Sequence, residues 1–357
     1  MNLHIVGGFL GSGKTTAIIH AARALMDTGQ VVGVITNDQG KYLVDTAFVR
    51  LSDLPAVEVT GGCFCCNYDD LDGRLNQLIE STHPDVIFAE SVGSCADVVA
   101  TVVKPLLELR GGRDKAVRPA SFSVFTDARL LRRRLLDLEM PFSDDVVYIF
   151  DKQLEEAGLI VVNKTDLLSE MVLEQLVGLL AARFPEKPYL LQSSLSAAGV
   201  QPWLERIQSG EIELPQAALS IDYERYGAGE AKLAWLDEEV HLDIPAGQGF
   251  ALRSILQNLV QVFAARGAGI GHLKFFLQAG DQGAKISIPT LAEPGWEEHI
   301  PQLAGPVTLL VNARVEMPAA ALRVLLADVL GSSGLSHTIR GGNAFHPSPP
   351  KPTHRYS

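Results

Sequence analysis

The sequence predicts an α/β protein: a doubly wound, largely parallel sheet followed by a smaller C-terminal α+β domain. Three observations carry that prediction. Short apolar runs alternate with amphipathic stretches through the first part of the chain, a glycine-rich loop follows the first run directly, and the pattern changes beyond residue 208.

Leu3–Gly8, Val31–Asn37, Ala56–Val59, Val86–Glu90, Ala120–Thr126, Leu159–Asn163 and Tyr189–Gln192 read as strands. Most are continuous apolar runs without alternation, as expected where both faces of a parallel strand are covered. Thr15–Asp27, Leu71–Ser81, Ala96–Leu109, Glu170–Phe184 and Trp203–Ile207 read as the intervening helices. This alternation favours right-handed β-α-β crossovers. The expected boundaries are a nucleotide-binding domain over 1–208, a linker over 209–230 and a small α+β domain over 231–330. Ala231–Leu242, Leu273–Gln278, Lys285–Ile288 and Thr308–Asn312 are its strands, and Gly249–Ala265 and Ala319–Leu330 its helices, an order compatible with a split β-α-β unit. Residues 331–357, rich in Gly, Ser, Pro and His, are expected to be a disordered tail.

Composition narrows the partners. Apolar residues make up 47% of the chain and charged residues 20%, and the formal net charge is −12. Such a surface repels phosphate backbones and anionic lipid, so neither nucleic acid nor a membrane is an expected partner. No apolar run is long enough to span a bilayer, and the start of the sequence lacks the basic region of a secretory signal. Three of the four cysteines crowd at Cys63, Cys65 and Cys66, which suits a reducing compartment better than a disulfide framework. A cytoplasmic location is expected.

Gly8-Phe9-Leu10-Gly11-Ser12-Gly13-Lys14-Thr15 satisfies G-x-x-x-x-G-K-[ST] between a strand and a helix, as a P-loop NTPase sheet requires. Its glycines allow the backbone to curl around phosphate, and the helix N-terminus adds positive potential. Gly8, Gly11, Ser12, Gly13, Lys14, Thr15 and Thr16 are the expected phosphate-binding residues, with Lys14 on the β/γ-phosphates and Thr15 on Mg²⁺. Asn163-Lys164-Thr165-Asp166 ends a buried strand in N-K-x-D. A carboxylate at Asp166 can accept from both N1–H and the exocyclic amine of guanine, a donor pair that adenine lacks. Asn163 would brace the loops, Lys164 would pack over the base, and Gln192-Ser193-Ser194 could add contacts, Ser193 among them. GTP is therefore preferred to ATP, and a small-molecule kinase, which needs no guanine clamp, is disfavoured.

Glu90 closes an apolar strand and precedes Gly93, a position suited to holding Mg²⁺ or orienting the attacking water. Asp38 is a second candidate near magnesium; either acid could instead be an ordinary loop residue. Lys14 and Glu90 are the candidate catalytic pair. Cys63, Cys65 and Cys66 offer soft ligands to Zn²⁺ or another transition metal, leaving an open tetrahedral position for transfer. A Cys63–Cys66 redox pair is the competing reading, and Cys95 reads as structural.

Gly7–Thr16 together with Gly61-Gly62-Cys63-Phe64-Cys65-Cys66 resembles the CobW-type GTPases, relatives of the urease- and hydrogenase-maturation GTPases, through about residue 200. The resemblance implies a GTP-hydrolysing metallochaperone that binds zinc, cobalt or another ion through the cysteine loop and delivers it to a client metalloprotein. It also implies GTP/GDP exchange and a nucleotide-dependent homodimer. The alternative is a GTPase that activates a cofactor enzyme, such as a corrinoid enzyme, with a structural or redox cysteine loop. The family usually has Asn-Glu-Phe-Gly where this chain has Asn37-Asp38-Gln39-Gly40, and the usual histidine-rich segment has no counterpart here.

Overall fold

Continuous burial of the apolar runs explains the first sheet. The strands β1 (Asn2–Gly8), β2 (Val32–Asn37), β3 (Ala56–Val59), β4 (Val86–Glu90), β5 (Arg118–Asp127), β6 (Leu159–Asn163) and β7 (Tyr189–Leu191) are all parallel. In this computed structural model, which describes residues 1–37, 44–51, 54–110, 117–291 and 295–357, they lie in the order β3-β2-β4-β1-β5-β6-β7. With β1 central, the carboxyl ends of β1, β2, β4 and β6 converge on one edge, where ligands of open α/β sheets bind.

Helices cover both faces. On one, α1 (Lys14–Asp27) and α7 (Ala197–Gln208) bury Ile18, Leu25, Trp203 and Ile207. Trp203 satisfies its indole N–H on Ser123 Oγ at 3.0 Å, so its large ring is buried without an orphaned donor. On the other face, α3 (Tyr68–Thr82) and α5 (Asp144–Glu156) bury Leu71, Leu75, Val146 and Phe150. Further helices among the described residues of this domain are α2 (Val44–Leu51), α4 (Ala128–Leu135) and α6 (Glu170–Arg183). The segment expected as one helix over Ala96–Leu109 contains two π-helical turns, Val99–Val103 and Leu106–Arg110, around Pro105, which has no N–H to continue an α ladder.

The expected linker contains a helix, α8 (Tyr223–Lys232). Asp222 caps it, accepting from Glu224 N at 2.9 Å and Arg225 N at 3.1 Å. Its glycines, which read as breakers, serve packing: a Cβ on Gly229 would lie 2.4 Å from Asp145 O of α5.

The second sheet is antiparallel, in the order β10-β9-β11-β8-β12. Its strands are β8 (Leu233–Ile244), β9 (Ile270–Ala279), β10 (Gln282–Pro289), β11 (Gly305–Glu316) and β12 (Ser336–Phe345). With α9 (Ala251–Ala264) and α10 (Ala319–Ser332) on one face, it is a split β-α-β arrangement carrying β10 as an extra edge strand. Alternation along β8, β9 and β11 sends Leu236, Leu273, Phe275 and Ala313 into that helical core. The residues between them, Trp235, Asp237, His272, Asn312 and Arg314, are buried on the opposite face. That face meets the first domain: Val44 N donates to Asn312 Oδ1 at 2.8 Å. Arg314 lies 3.4 Å from the centroid of the Trp235 ring and pairs with Asp237 at 3.2 Å. The ring and the carboxylate together offset the cost of burying a guanidinium.

Residues 331–357 depart from the expected disorder. Ser336–Phe345 form β12 along β8, and the remainder hydrogen-bonds back onto the first domain, Thr353 N to Cys65 O and Tyr356 N to Ala100 O, each at 2.9 Å. The glycines here mark a register shift between Ile339 and Gly341. A Cβ on Gly342 would lie 2.2 Å from Asp237 O, so glycine permits the pairing rather than preventing it.

Candidate functional site

The phosphate loop curls out of β1 with Gly8, Gly11 and Gly13 at φ of 122°, 71° and 92°. These are left-handed values that a side chain resists. A Cβ on Gly8 would also sit 2.1 Å from Phe125 O. Lys14 opens α1 and folds over the loop, donating to Gly8 O at 2.7 Å and Phe9 O at 3.2 Å. Burial pushes Lys14 down to about 8, opposed by the Glu90 carboxylate. The Thr15 hydroxyl donates to Glu90 Oε1 at 2.9 Å. Burial raises the Glu90 carboxyl above its ordinary range, and Lys14 opposes it. Glu90 Oε2 is buried without a hydrogen-bond partner among the described residues. A hydroxyl and a carboxylate with a spare buried oxygen suit a hard cation such as Mg²⁺ or water bound to it.

Asn163, at the end of β6, ties this loop to the next. It donates to Ser12 O at 2.7 Å and accepts from Ser194 N at 3.0 Å and Ser194 Oγ at 2.9 Å. Lys164 takes a left-handed conformation, φ 64°, and lies 3.6 Å from the buried Asp127 carboxylate. Asp166 lies in a 3₁₀ turn with its side chain exposed toward the cavity.

Gly11, Gly13, Lys14, Thr15, Thr16, Glu90, Asn163, Lys164, Asp166 and Ser193 thus line one cavity of about 220 Å³. Of the other sequence-derived nucleotide residues, Gly8 and Ser12 shape the loop without lining the cavity, and Asp38 lies outside the described residues. Ser194, Leu195, Ser287, Lys274 and Lys285 also line it. The last three come from the second sheet. Their only trace in the sequence is a polar alternation that ordinarily marks a solvent face.

The cysteine loop is held from β2. Asn37 donates to Val59 O at 3.1 Å and Gly62 O at 2.7 Å, and accepts from Phe64 N at 2.9 Å. Phe64 is 1% exposed and anchors the loop in the core. Cys63 Sγ lies 2.7 Å from Cys65 Sγ and 3.2 Å from Cys66 Sγ, with 3.7 Å between Cys65 and Cys66. Thiol hydrogen bonds with Cys65, Cys66 and Cys95 hold Cys63 well below the ordinary thiol range. The same contacts push Cys65 up. Three convergent sulfurs, one favouring the thiolate, suit a soft cation. The convergent sulfurs are those of Cys63, Cys65 and Cys66, and Cys95 is buried in the core nearby. The C-terminal segment covers the loop: Lys351 N donates to Cys66 Sγ at 3.3 Å, and the His354 ring meets Tyr68 edge-on at 5.1 Å.

A short, pinned segment of backbone runs from the nucleotide site into the core beside the thiols. From Glu90 the chain passes Gly93, where a Cβ would meet the Leu10 side chain at 2.7 Å, and reaches Cys95. Gln153 pins this segment, donating to Gly93 O at 3.0 Å and Cys95 O at 2.8 Å.

A seven-stranded parallel sheet with a phosphate loop leading from its central strand into the first helix defines a P-loop NTPase fold. The chain belongs to the CobW/HypB/UreG family, whose nucleotide-binding domain matches residues 2–190, more than half of the sequence. The zinc chaperone YeiR of Escherichia coli (strain K12) is 32% identical over 170 residues, 46% of this chain and 46% of that protein. The zinc chaperone CobW of a Sinorhizobium species is 29% identical over 218 residues, 53% of this chain and 58% of that protein. Zinc-regulated GTPase metalloprotein activator 1 of Dictyostelium discoideum is 25% identical over 241 residues, covering 60% and 49% respectively. In these matches the chain spans about half the length of its curated relatives. Among the described residues, no helix is long and apolar enough to cross a membrane.

Proposed function

We propose that this protein hydrolyses GTP with Mg²⁺ and couples the nucleotide state to binding and release of a transition metal, zinc or cobalt, for a client metalloprotein in the cytoplasm. The observation that carries the reading is the 2.9 Å Thr15–Glu90 contact in the cavity that also holds Asn163 and Asp166, with three convergent thiols on the loop that Asn37 holds at the end of the neighbouring strand β2. Lys14 and the loop amides hold the phosphates, Thr15 and Glu90 hold Mg²⁺, and Asp166 accepts from guanine. Bound Mg²⁺ would neutralise charge on the β- and γ-phosphates. Cys63, Cys65 and Cys66 bind the cargo ion. Asn37 and the Glu90–Cys95 segment connect the two sites, so metal affinity and nucleotide state influence each other reciprocally. The zinc-chaperone relatives support zinc as cargo.

The test is a Zn²⁺ and Co²⁺ titration of reduced protein against a chromophoric chelator, with a Mg²⁺·GTP analogue, with Mg²⁺·GDP and without nucleotide. One-to-one binding that depends on nucleotide and vanishes in a Cys63/Cys65/Cys66→Ala variant is expected. Binding no stronger than in that variant would sink the chaperone reading and favour a GTPase activator with a redox cysteine loop, in which Cys63 and Cys66, 3.2 Å apart, would be the pair. We further infer that the triphosphate state associates as a homodimer. Sedimentation as a monomer with every nucleotide would contradict that.

A further inference from the structure

We propose that Lys274 and Lys285 of the second domain are a second phosphate clamp, contacting the terminal phosphate of GTP, and that Asp45 is the carboxylate this phosphate displaces. The inference deepens the GTPase reading and rests on it.

Strand register brings the two lysines together. Lys274 of β9 stands opposite Ser287 of β10, and Lys285 lies two residues along the same strand, so all three share a face. It is the polar face of the sheet, turned against the first domain rather than toward water. Only 13% of the Lys274 side chain and 8% of the Lys285 side chain are exposed. Both lysines line the same cavity as Gly13, Lys14, Thr15 and Glu90.

Burying two ammonium groups requires an anion, and Asp45 supplies one carboxylate to both. Lys285 Nζ lies 2.8 Å from Asp45 Oδ1, and Lys274 Nζ contacts Asp45 Oδ2. The lysines hold Asp45 well below the usual carboxylate range against the opposing effect of burial. Among the described residues, Lys14, Lys274 and Lys285 gather around Asp45 and Glu90 at the cavity floor. A terminal phosphate carries more negative charge than a single carboxylate and has three acceptor oxygens. It can therefore satisfy the two ammonium groups better than Asp45 does. GDP ends one phosphate short and leaves Asp45 in place.

Asp45 lies in the first turn of α2, on the connection that leaves β2 just after Asn37, the residue clamping the cysteine loop. Exchange of Asp45 for phosphate releases the ion pairs that tie the first turn of α2 to β9 and β10. Presence of the terminal phosphate is thereby reported to the segment holding the thiols. This contact uses groups from both domains, so it also reads their relative position.

The experiment measures affinity of the full-length protein for fluorescent GDP and for a fluorescent non-hydrolysable GTP analogue, each with Mg²⁺. Lys274→Ala and Lys285→Ala are each expected to weaken the triphosphate roughly tenfold or more while leaving GDP within about twofold. Lys285→Arg should restore most of the loss. Asp45→Asn should tighten the triphosphate selectively, a gain that misfolding cannot produce. Equal losses for the two nucleotides, or no loss at all, would overturn the clamp while leaving the GTPase reading intact. Failure of the unaltered protein to bind either guanine nucleotide would overturn both.

Discussion

Replacing Asn163 with alanine tests whether one buried amide holds the phosphate and base loops in register. The side chain is 1% exposed and makes three hydrogen bonds: to Ser12 O at 2.7 Å, from Ser194 N at 3.0 Å and from Ser194 Oγ at 2.9 Å. Alanine removes all of them. The Ser194 hydroxyl still accepts from Gln192 Nε2 at 2.9 Å, but its proton, Ser12 O and Ser194 N all lose their bonds to Asn163. A net hydrogen bond contributes about 1 kcal/mol, and leaving a buried partner unsatisfied costs roughly 1–3 kcal/mol. The expected destabilisation is therefore about 2–4 kcal/mol, read from urea unfolding followed by the fluorescence of Trp203 in the same domain. GDP affinity should fall in parallel, because the two loops that contact the nucleotide are no longer joined. Asn163→Asp should fall between wild type and Asn163→Ala in stability, since it keeps the acceptor for Ser194 but turns a carboxylate oxygen toward Ser12 O. A loss under about 1 kcal/mol for alanine would refute the reasoning, because these bonds would then add little beyond what water supplies.

Burial lowers His4 from 6.5 to about 4, while its Nδ1 stays 2.8 Å from Ser121 Oγ. The unfolded chain then takes up a proton between those values and the folded protein does not, so stability present above pH 6.5 is lost as pH falls toward 4, by at most roughly 3 kcal/mol. A His4→Phe variant should show a shallower decline over that window, and identical slopes would reject the assignment. Lys14→Ala should abolish tight nucleotide binding while leaving the far-UV circular dichroism unchanged, and retained GTP hydrolysis would contradict its role. Asp166→Asn should reduce preference for guanine over adenine nucleotides by roughly tenfold to a few hundredfold, and unchanged selectivity would remove the base-reading account. Thr353→Pro deletes the N–H bonded to Cys65 O at 2.9 Å and the hydroxyl bonded to Cys66 O at 3.1 Å. Reaction of Cys66 with a thiol reagent should accelerate, and an unchanged rate would mean that the C-terminal segment does not shield the loop.

The sequence by itself determined what depends on contiguous residues. The phosphate loop, the N-K-x-D turn and the crowded cysteines each place their chemistry within a few residues, and the short apolar runs bounded by turn residues have the length of buried parallel strands. Helices α5 and α8 were harder to read. Their packing relies on Gly229 against Asp145 O, an approach between residues far apart in sequence. The C-terminal segment read as disordered because Gly, Pro and Ser dominate it locally. It is ordered by an edge, β8, and by acceptors on the cysteine loop that only folding brings to it. The same holds for Asn37, whose amide reaches the cysteine loop from a neighbouring strand. Lys274 and Lys285 are the clearest case. A lysine at alternate strand positions ordinarily faces water. Only the seating of one sheet against the other turns that face into the wall of the nucleotide cavity.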